Sequence, residues 1–159
     1  MDRIATHLWF DGRAEEAAEF YVGTFPDSRI ERLTRSPADW PNGAAGDVIE
    51  VAFTLAGRSF LALNGGPGYP FTEAISLSVD CADQAEVDRY WEALSAHPEH
   101  EWCGWLKDRF GVSWQIIPRA LPELLNDPDR ARAKRAMEAM MTMKKIDVAA
   151  LEAAAGASR

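Results

Sequence analysis

The order strand, helix, strands occurs twice along this chain, and no other feature narrows its possible folds as far. Shifting residues 5–11 by 69 positions lays Ala5-Thr6-His7-Leu8-Trp9-Phe10-Asp11 on Ala74-Ile75-Ser76-Leu77-Ser78-Val79-Asp80. Leucine falls on leucine, phenylalanine on valine and aspartate on aspartate; one further position of shift pairs Phe20-Tyr21 with Tyr90-Trp91. A pattern that recurs at fixed spacing marks a duplicated supersecondary unit. The chain therefore divides into a first module at 1–64, a linker at 65–73, a second and shortened module at 74–118, and a helical tail at 119–159.

Within the first copy, residues 3–10 alternate: Ile4, Thr6, Leu8 and Phe10 on one face, Ala5, His7 and Trp9 on the other, which is strand periodicity. Asp11 is placed to cap a helix over 13–24, where Ala14, Ala17, Ala18, Tyr21 and Phe25 recur at helical spacing. Residues 29–35 read as a polar edge strand, and 36–46, with two prolines and two glycines, as a loop. Asp47–Leu55 is a strand with Ile49, Val51, Phe53 and Leu55 on one side and Val48, Glu50, Ala52 and Thr54 on the other. Ser59–Asn64 returns the chain, and Gly65–Pro70 is too rich in Gly and Pro to be regular.

The second copy opens with a strand over Ala74–Asp80, its Ile75, Leu77 and Val79 facing helices, followed by a helix over about 83–96. Only His97–Trp102 is left where the first copy has its edge strand and loop. Cys103–Pro118 then reads as two short strands joined at Asp108-Arg109-Phe110-Gly111. In the tail, Asp127 and Pro128 make a helix start, Met137, Met140 and Met141 form an apolar stripe for the sheet or a second subunit, and Asp147 caps a last helix.

Composition excludes several classes of partner. With 25 acidic against 17 basic side chains the formal charge is −8, which argues against nucleic acid or an anionic membrane surface. No apolar run approaches the ~20 residues that span a bilayer, and MDRIATHLWFDG has neither the basic nor the hydrophobic region of a signal peptide. Two cysteines, Cys81 and Cys103, fit free thiols in a reduced, cytoplasmic protein.

Several segments resemble one family: LWFDGRAEEAAEFY (8–21), FPDSRI (25–30), LALNGGP (61–67), CGWLKDRFGVSWQIIP (103–118) and MEAMMTMKKIDVAALE (137–152) look like the PhnB-like branch of the vicinal oxygen chelate superfamily, often labelled 3-demethylubiquinone-9 3-methyltransferase. The superfamily includes glyoxalase I, extradiol dioxygenases and bleomycin-resistance proteins. The resemblance implies an α+β fold in which two tandem βαβββ modules form a curled, cup-shaped mixed sheet with helices outside. The methyltransferase label implies a Gly-rich strand-to-helix turn against the cofactor. The Gly65-Gly66-Pro67-Gly68 run instead leads towards a strand.

On that fold, alternation turns His7, Trp9, Glu50, Asn64, Ser76, Ser78, Trp105, Ser113 and Gln115 towards the cup as ligand-binding residues, with Trp114 towards the helices. The metal positions of glyoxalase-like relatives, carried over one by one, fall at Ala5, near Ala62, at Ala74 and at Gln115. None is a strong ligand, so the resemblance implies neither metal nor cofactor. His7 and Glu50 are the candidates for proton transfer. Two functions compete: a metal-free cup binding a small organic molecule, as bleomycin-resistance proteins do, or a superfamily isomerase, lyase or dioxygenase acting on a small oxygenated substrate. Exposed sheet edges and the Met-rich tail predict a homodimer.

Overall fold

The computed structural model describes residues 3–157. It is an α+β protein of two compact units, Met1–Phe71 and Thr72–Arg159, each with its own sheet. The first unit runs β1 (Thr6–Phe10), α1 (Ala14–Thr24), β2 (Arg29–Arg35), β3 (Val48–Leu55) and β4 (Arg58–Asn64). Its sheet has the order β1-β4-β3-β2, with β1 parallel to β4 and the other neighbours antiparallel. One face of this sheet is apolar because alternate residues along each strand are: Leu8, Phe10, Val51, Phe53, Phe60 and Ala62 are all buried. Ala14, Ala17, Ala18 and Tyr21, spaced three and four apart, form the buried stripe of α1. Small alanines let the helix lie close, and Tyr21 fills the space beyond them with no exposed surface.

The cap of α1 differs from expectation. Arg13, not Asp11, holds the N-cap position and makes no side-chain capping bond. The orphan N–H of Ala14 instead donates to Asn64 Oδ1 at 2.8 Å, and Asn64 Nδ2 donates to Val48 O at 2.9 Å. One amide thus ties the start of the helix to two strands, supplying the acceptor a local Ser or Asp usually gives.

The second unit runs β5 (Leu77–Cys81), α2 (Gln84–Leu94), a single 3₁₀ turn at Pro98–His100, β6 (Trp105–Lys107) and β7 (Ser113–Pro118). Its three-stranded sheet has the order β5-β7-β6, with β5 parallel to β7, repeating the first topology without the outer strand. Asp83 caps α2 by accepting from Glu86 N, and Val87, Tyr90 and Leu94 face the sheet. Full burial of such a side chain stabilises by about 1.5–3 kcal/mol. The strand expected from Ala74 starts only at Leu77: Ala74 and Ile75 lie in a turn, and Ile75 is 77% exposed rather than packed on a helix.

The tail contains one helix more than its pattern suggests: α3 (Ala120–Leu125), α4 (Arg130–Met140) and α5 (Val148–Gly156). They close around Leu121, Leu124, Ala136, Ile146, Leu151 and Ala155. The cap of α4 is Asp129, which accepts from Ala131 N and Arg132 N, whereas Asp127 sits two residues earlier and accepts from Asp129 N. Ala133 and Ala136 are buried, while Met137 and Met141 of the expected stripe are 50% and 51% exposed. Asp147 caps α5 as expected, and Arg135 closes its far end by donating to Ala154 O and Ala155 O.

Candidate functional site

In the first unit, register decides which polar residues share the face away from α1. His7 pairs with Leu61 and Trp9 with Leu63, while Glu50 pairs with Leu63 and Ala52 with Leu61. His7, Trp9, Glu50 and Ala52 therefore lie on one side, as alternation predicts. Glu50 is central to it: Oε2 is 3.7 Å from His7 Nε2 and Oε1 is 3.3 Å from Arg32 Nη2. The His7 side chain is 46% exposed and that of Glu50 24%, so an imidazole edge and a shared carboxylate are open to a visiting molecule. Beside them Thr54 Oγ1 donates to Glu31 Oε1 at 2.6 Å. This bond, ahead of the nearby Arg29, holds the Glu31 carboxyl below the usual carboxylate range.

Trp9 shares the face, but its indole is engaged locally. Nε1 donates to Gly66 O at 2.8 Å, and Tyr69 meets the ring edge-on at 4.9 Å between centroids. A side chain at Gly65 would place a Cβ 2.1 Å from the ring, so only glycine allows the indole to lie against the loop. Asn64 is the clear correction. It belongs with Phe60 and Ala62 on the helix face, is 8% exposed, and spends its amide on Ala14 and Val48.

In the second unit, Ser78, Gln115 and Trp105 form one row across the sheet. Gln115 Nε2 donates to Ser76 Oγ at 2.8 Å, bringing together two of the expected residues from outside and inside the ladder. Ser113 lies on the same face by alternation, yet it is only 2% exposed and its Oγ is without a hydrogen-bond partner. Trp114 turns the other way, into the core, as its parity predicts.

Asp108 is the residue that sequence reasoning missed. It has no exposed surface; Oδ1 accepts from Phe110 N and Val112 N, and Oδ2 accepts from Trp114 Nε1 at 2.8 Å. An Asp at the first position of a Gly-containing turn signals the local half of this arrangement. Trp105 also borders a groove of about 550 Å³ with Glu73, Glu99, His100, Trp102 and Cys103, most of which alternation along strands does not single out.

Metal chemistry needs converging ligands, and among the described residues no three His, Cys, Asp or Glu side chains form such a group. Ala62, one of the carried-over ligand positions, is fully buried on the α1 face. Both thiols are free and both have raised pKa values, Cys81 to about 12, chiefly through burial, so neither is an activated nucleophile.

Residues 2–117 match a family described as 3-demethylubiquinone-9 3-methyltransferase. The chain belongs to this family. A solved structure from Bacillus cereus, named as a putative 3-demethylubiquinone-9 3-methyltransferase and PhnB protein, is 34% identical; the likeness covers 74% of this chain and 99% of that one, with a TM-score of 0.62. The Pseudomonas aeruginosa protein PA1353 is 24% identical over 74% of this chain and 98% of its own, with a TM-score of 0.56, and shares the fold. A comparison with curated proteins gave no match. The family match stops at the end of β7, so in this PhnB-like chain α3, α4 and α5 lie outside it. The expected reach of the resemblance into 137–152 is therefore not matched by the family model. No helix among the described residues is long and apolar enough to cross a membrane.

Proposed function

We propose that this PhnB-like protein binds a small organic molecule without a resident metal, using the open face of the first sheet. The observation that carries the reading is Glu50 held between His7 and Arg32 beside a half-exposed imidazole. Such a group offers a donor, an acceptor and a cation within one side-chain layer, suited to an oxygenated ligand. The lack of three converging ligands among the described residues supports independence from metal. Membership of the vicinal oxygen chelate superfamily agrees with the β1-β4-β3-β2 order and its shortened repeat.

Methyl transfer, which the family description names, finds less support. The Gly65-Gly66-Pro67-Gly68 run leaves β4 and is followed by β5, so no helix N-terminus meets it as in a nucleotide-binding turn. A second reading, proton transfer on a small oxygenated substrate, is favoured by the His7–Glu50 pair itself, since a carboxylate beside an imidazole orients it for acid–base work.

We place the protein in the cytoplasm as a homodimer. Free Cys81 and Cys103 support the compartment, and exposed Met137 and Met141 support the association. Native mass spectrometry of protein from its own host tests these points together. The expected spectrum is a dimer carrying a small organic adduct that is lost from His7→Ala and retained after chelator. A stoichiometric divalent metal needed for that adduct would overturn the metal-free reading, and a 17.6 kDa monomer at micromolar concentration would overturn the dimer.

A further inference from the structure

The second unit carries a groove that the first-sheet reading does not use. Its walls come mostly from the segment between α2 and β6, where the outer strand of the repeat is missing, with Glu73 ahead of β5 and Trp105 at the start of β6. Two indoles, Trp102 and Trp105, line it together with Glu73, Glu99, His100 and Cys103. Trp102 is 62% exposed, so much of its ring is open to a visiting molecule.

The local backbone explains why both rings are presented. Trp102 and Trp105 pair through Trp102 N to Trp105 O and Trp105 N to Trp102 O, leaving Cys103 and Gly104 as a two-residue turn. Both turn residues have positive φ, 52° and 85°, as the primed hairpin turns require. The turn is then fixed from outside. Cys103 N and Gly104 N donate to Met143 O and Lys144 O, Trp102 Nε1 donates to Met141 O at 3.2 Å, and Lys144 Nζ donates to Pro98 O at 2.8 Å. The turn and the Trp102 ring are therefore held in place.

The charges at the groove are mixed but lean negative. Glu73 Oε1 is 2.5 Å from Lys107 Nζ and 3.2 Å from His100 Nδ1, and Glu99 Oε1 is 3.4 Å from His97 Nδ1. Glu73 is matched by the Lys107 ammonium, whereas the partner of Glu99 is an imidazole. The hydrogen bond from Lys107 lowers the Glu73 carboxyl from its ordinary value, and Glu99's own backbone N–H does the same for Glu99. An aromatic wall with a residual negative charge suits one class of ligand above others, since the faces of indole rings attract cations.

We infer that this groove is a binding site for a small organic cation of the alkylammonium type, its charge against Trp102 and Trp105 and balanced by Glu73 and Glu99. A cation bearing methyl groups gains from both the indole faces and the apolar contact, whereas a strongly hydrated metal ion gains little from either. The residues that line the site all belong to the second unit, and none is part of the His7–Glu50 group.

Choline is the probe, and its neutral isostere 3,3-dimethyl-1-butanol is the control. Titration of the full chain, followed through the indole N–H signals in ¹H–¹⁵N NMR spectra, should move Trp102 and Trp105 and leave the Trp9 signal in place. Loss of the charge or of one ring should weaken binding roughly three- to thirtyfold, the range of a partly desolvated cation–π contact. That effect is expected for the isostere, for Trp102→Ala and, more mildly, for Glu99→Gln, both substitutions at exposed side chains that the fold tolerates. Trp102→Phe should recover part of the loss, and His7→Ala should change nothing. Equal affinity for choline and its isostere, choline shifts confined to other tryptophans, or full affinity in Trp102→Ala would each overturn the assignment.

Discussion

Replacing Asp108 by Ala should destabilise the second unit more than any surface substitution. The side chain has no exposed area and accepts N–H groups from Phe110 at 2.8 Å, Val112 at 3.0 Å and the Trp114 indole at 2.8 Å. Alanine leaves these donors without that acceptor, at about 1–3 kcal/mol for each one that stays buried and unpaired. Because they share one site their costs do not simply add, so a loss of about 3–5 kcal/mol is expected. That is a large share of the ~5–15 kcal/mol by which domains are stable. Asp108→Asn separates the contributions. The remaining amide oxygen can still accept from Phe110 and Val112, but the NH₂ group would confront the indole N–H. Trp114→Phe removes that conflict, so Asp108→Asn should be less damaging in a chain that also carries Trp114→Phe. Urea unfolding followed by far-UV circular dichroism measures each of these proteins without depending on Trp114 emission. A loss below about 0.5 kcal/mol for Asp108→Ala would refute the reasoning, since changes of that size are typical of unconstrained surface positions. So would strict additivity of Asp108→Asn and Trp114→Phe.

Two further outcomes follow from groups already described. Asn64→Ala should cost about 1–2 kcal/mol through the lost helix cap, measured by urea unfolding; Asn64→Asp should recover part of it, because an acceptor for Ala14 N is restored. Stability should also fall from about pH 9 towards pH 12. Cys81, whose thiol is raised from 9.0 to about 12 mainly by burial and then by Glu86 and Asp80, keeps its proton in the folded chain after the unfolded chain has lost it. The unfolded state then binds fewer protons, giving a slope of at most about 1.4 kcal/mol per pH unit. Comparing wild type with Cys81→Ala between pH 8 and 10 tests this, and identical slopes would remove Cys81 from the account.

Strand parity was legible in the sequence because alternation is a local property. His7, Trp9, Glu50, Trp105 and Gln115 all lie on the side that their neighbours' hydrophobicity dictates. The failures arise where a partner distant in sequence sets the outcome. Asn64 shares the parity of Phe60 and Ala62, and what its buried amide does there is set by Ala14, 50 positions away. The tail is equally dependent on its partners: what packs on α4 buries Ala133 and Ala136 and leaves Met137 half exposed. Asp108 reads as an ordinary turn residue because its third partner is an indole six positions on, in a strand whose direction alternation gives but whose reach it does not. The groove was hidden for a similar reason. Apart from Trp105 in β6, its residues come from turns and irregular segments, where neither period applies.

The bonds from Met141, Met143 and Lys144 to the segment 98–104 also order events in time. Synthesis proceeds from the N-terminus, and units fold as their chain becomes available. Every strand of the first sheet exists once Asn64 has been made. In the second unit, Trp102 must wait for Met141, 39 residues later, and Pro98 must wait for Lys144, 46 residues later. Contacts that span such separations form late, since the intervening chain must first surrender its freedom. A nascent chain halted after β7 would thus hold its strands and α2 while the Trp102 ring stayed loose, and the aromatic groove would be the last surface of the protein to mature.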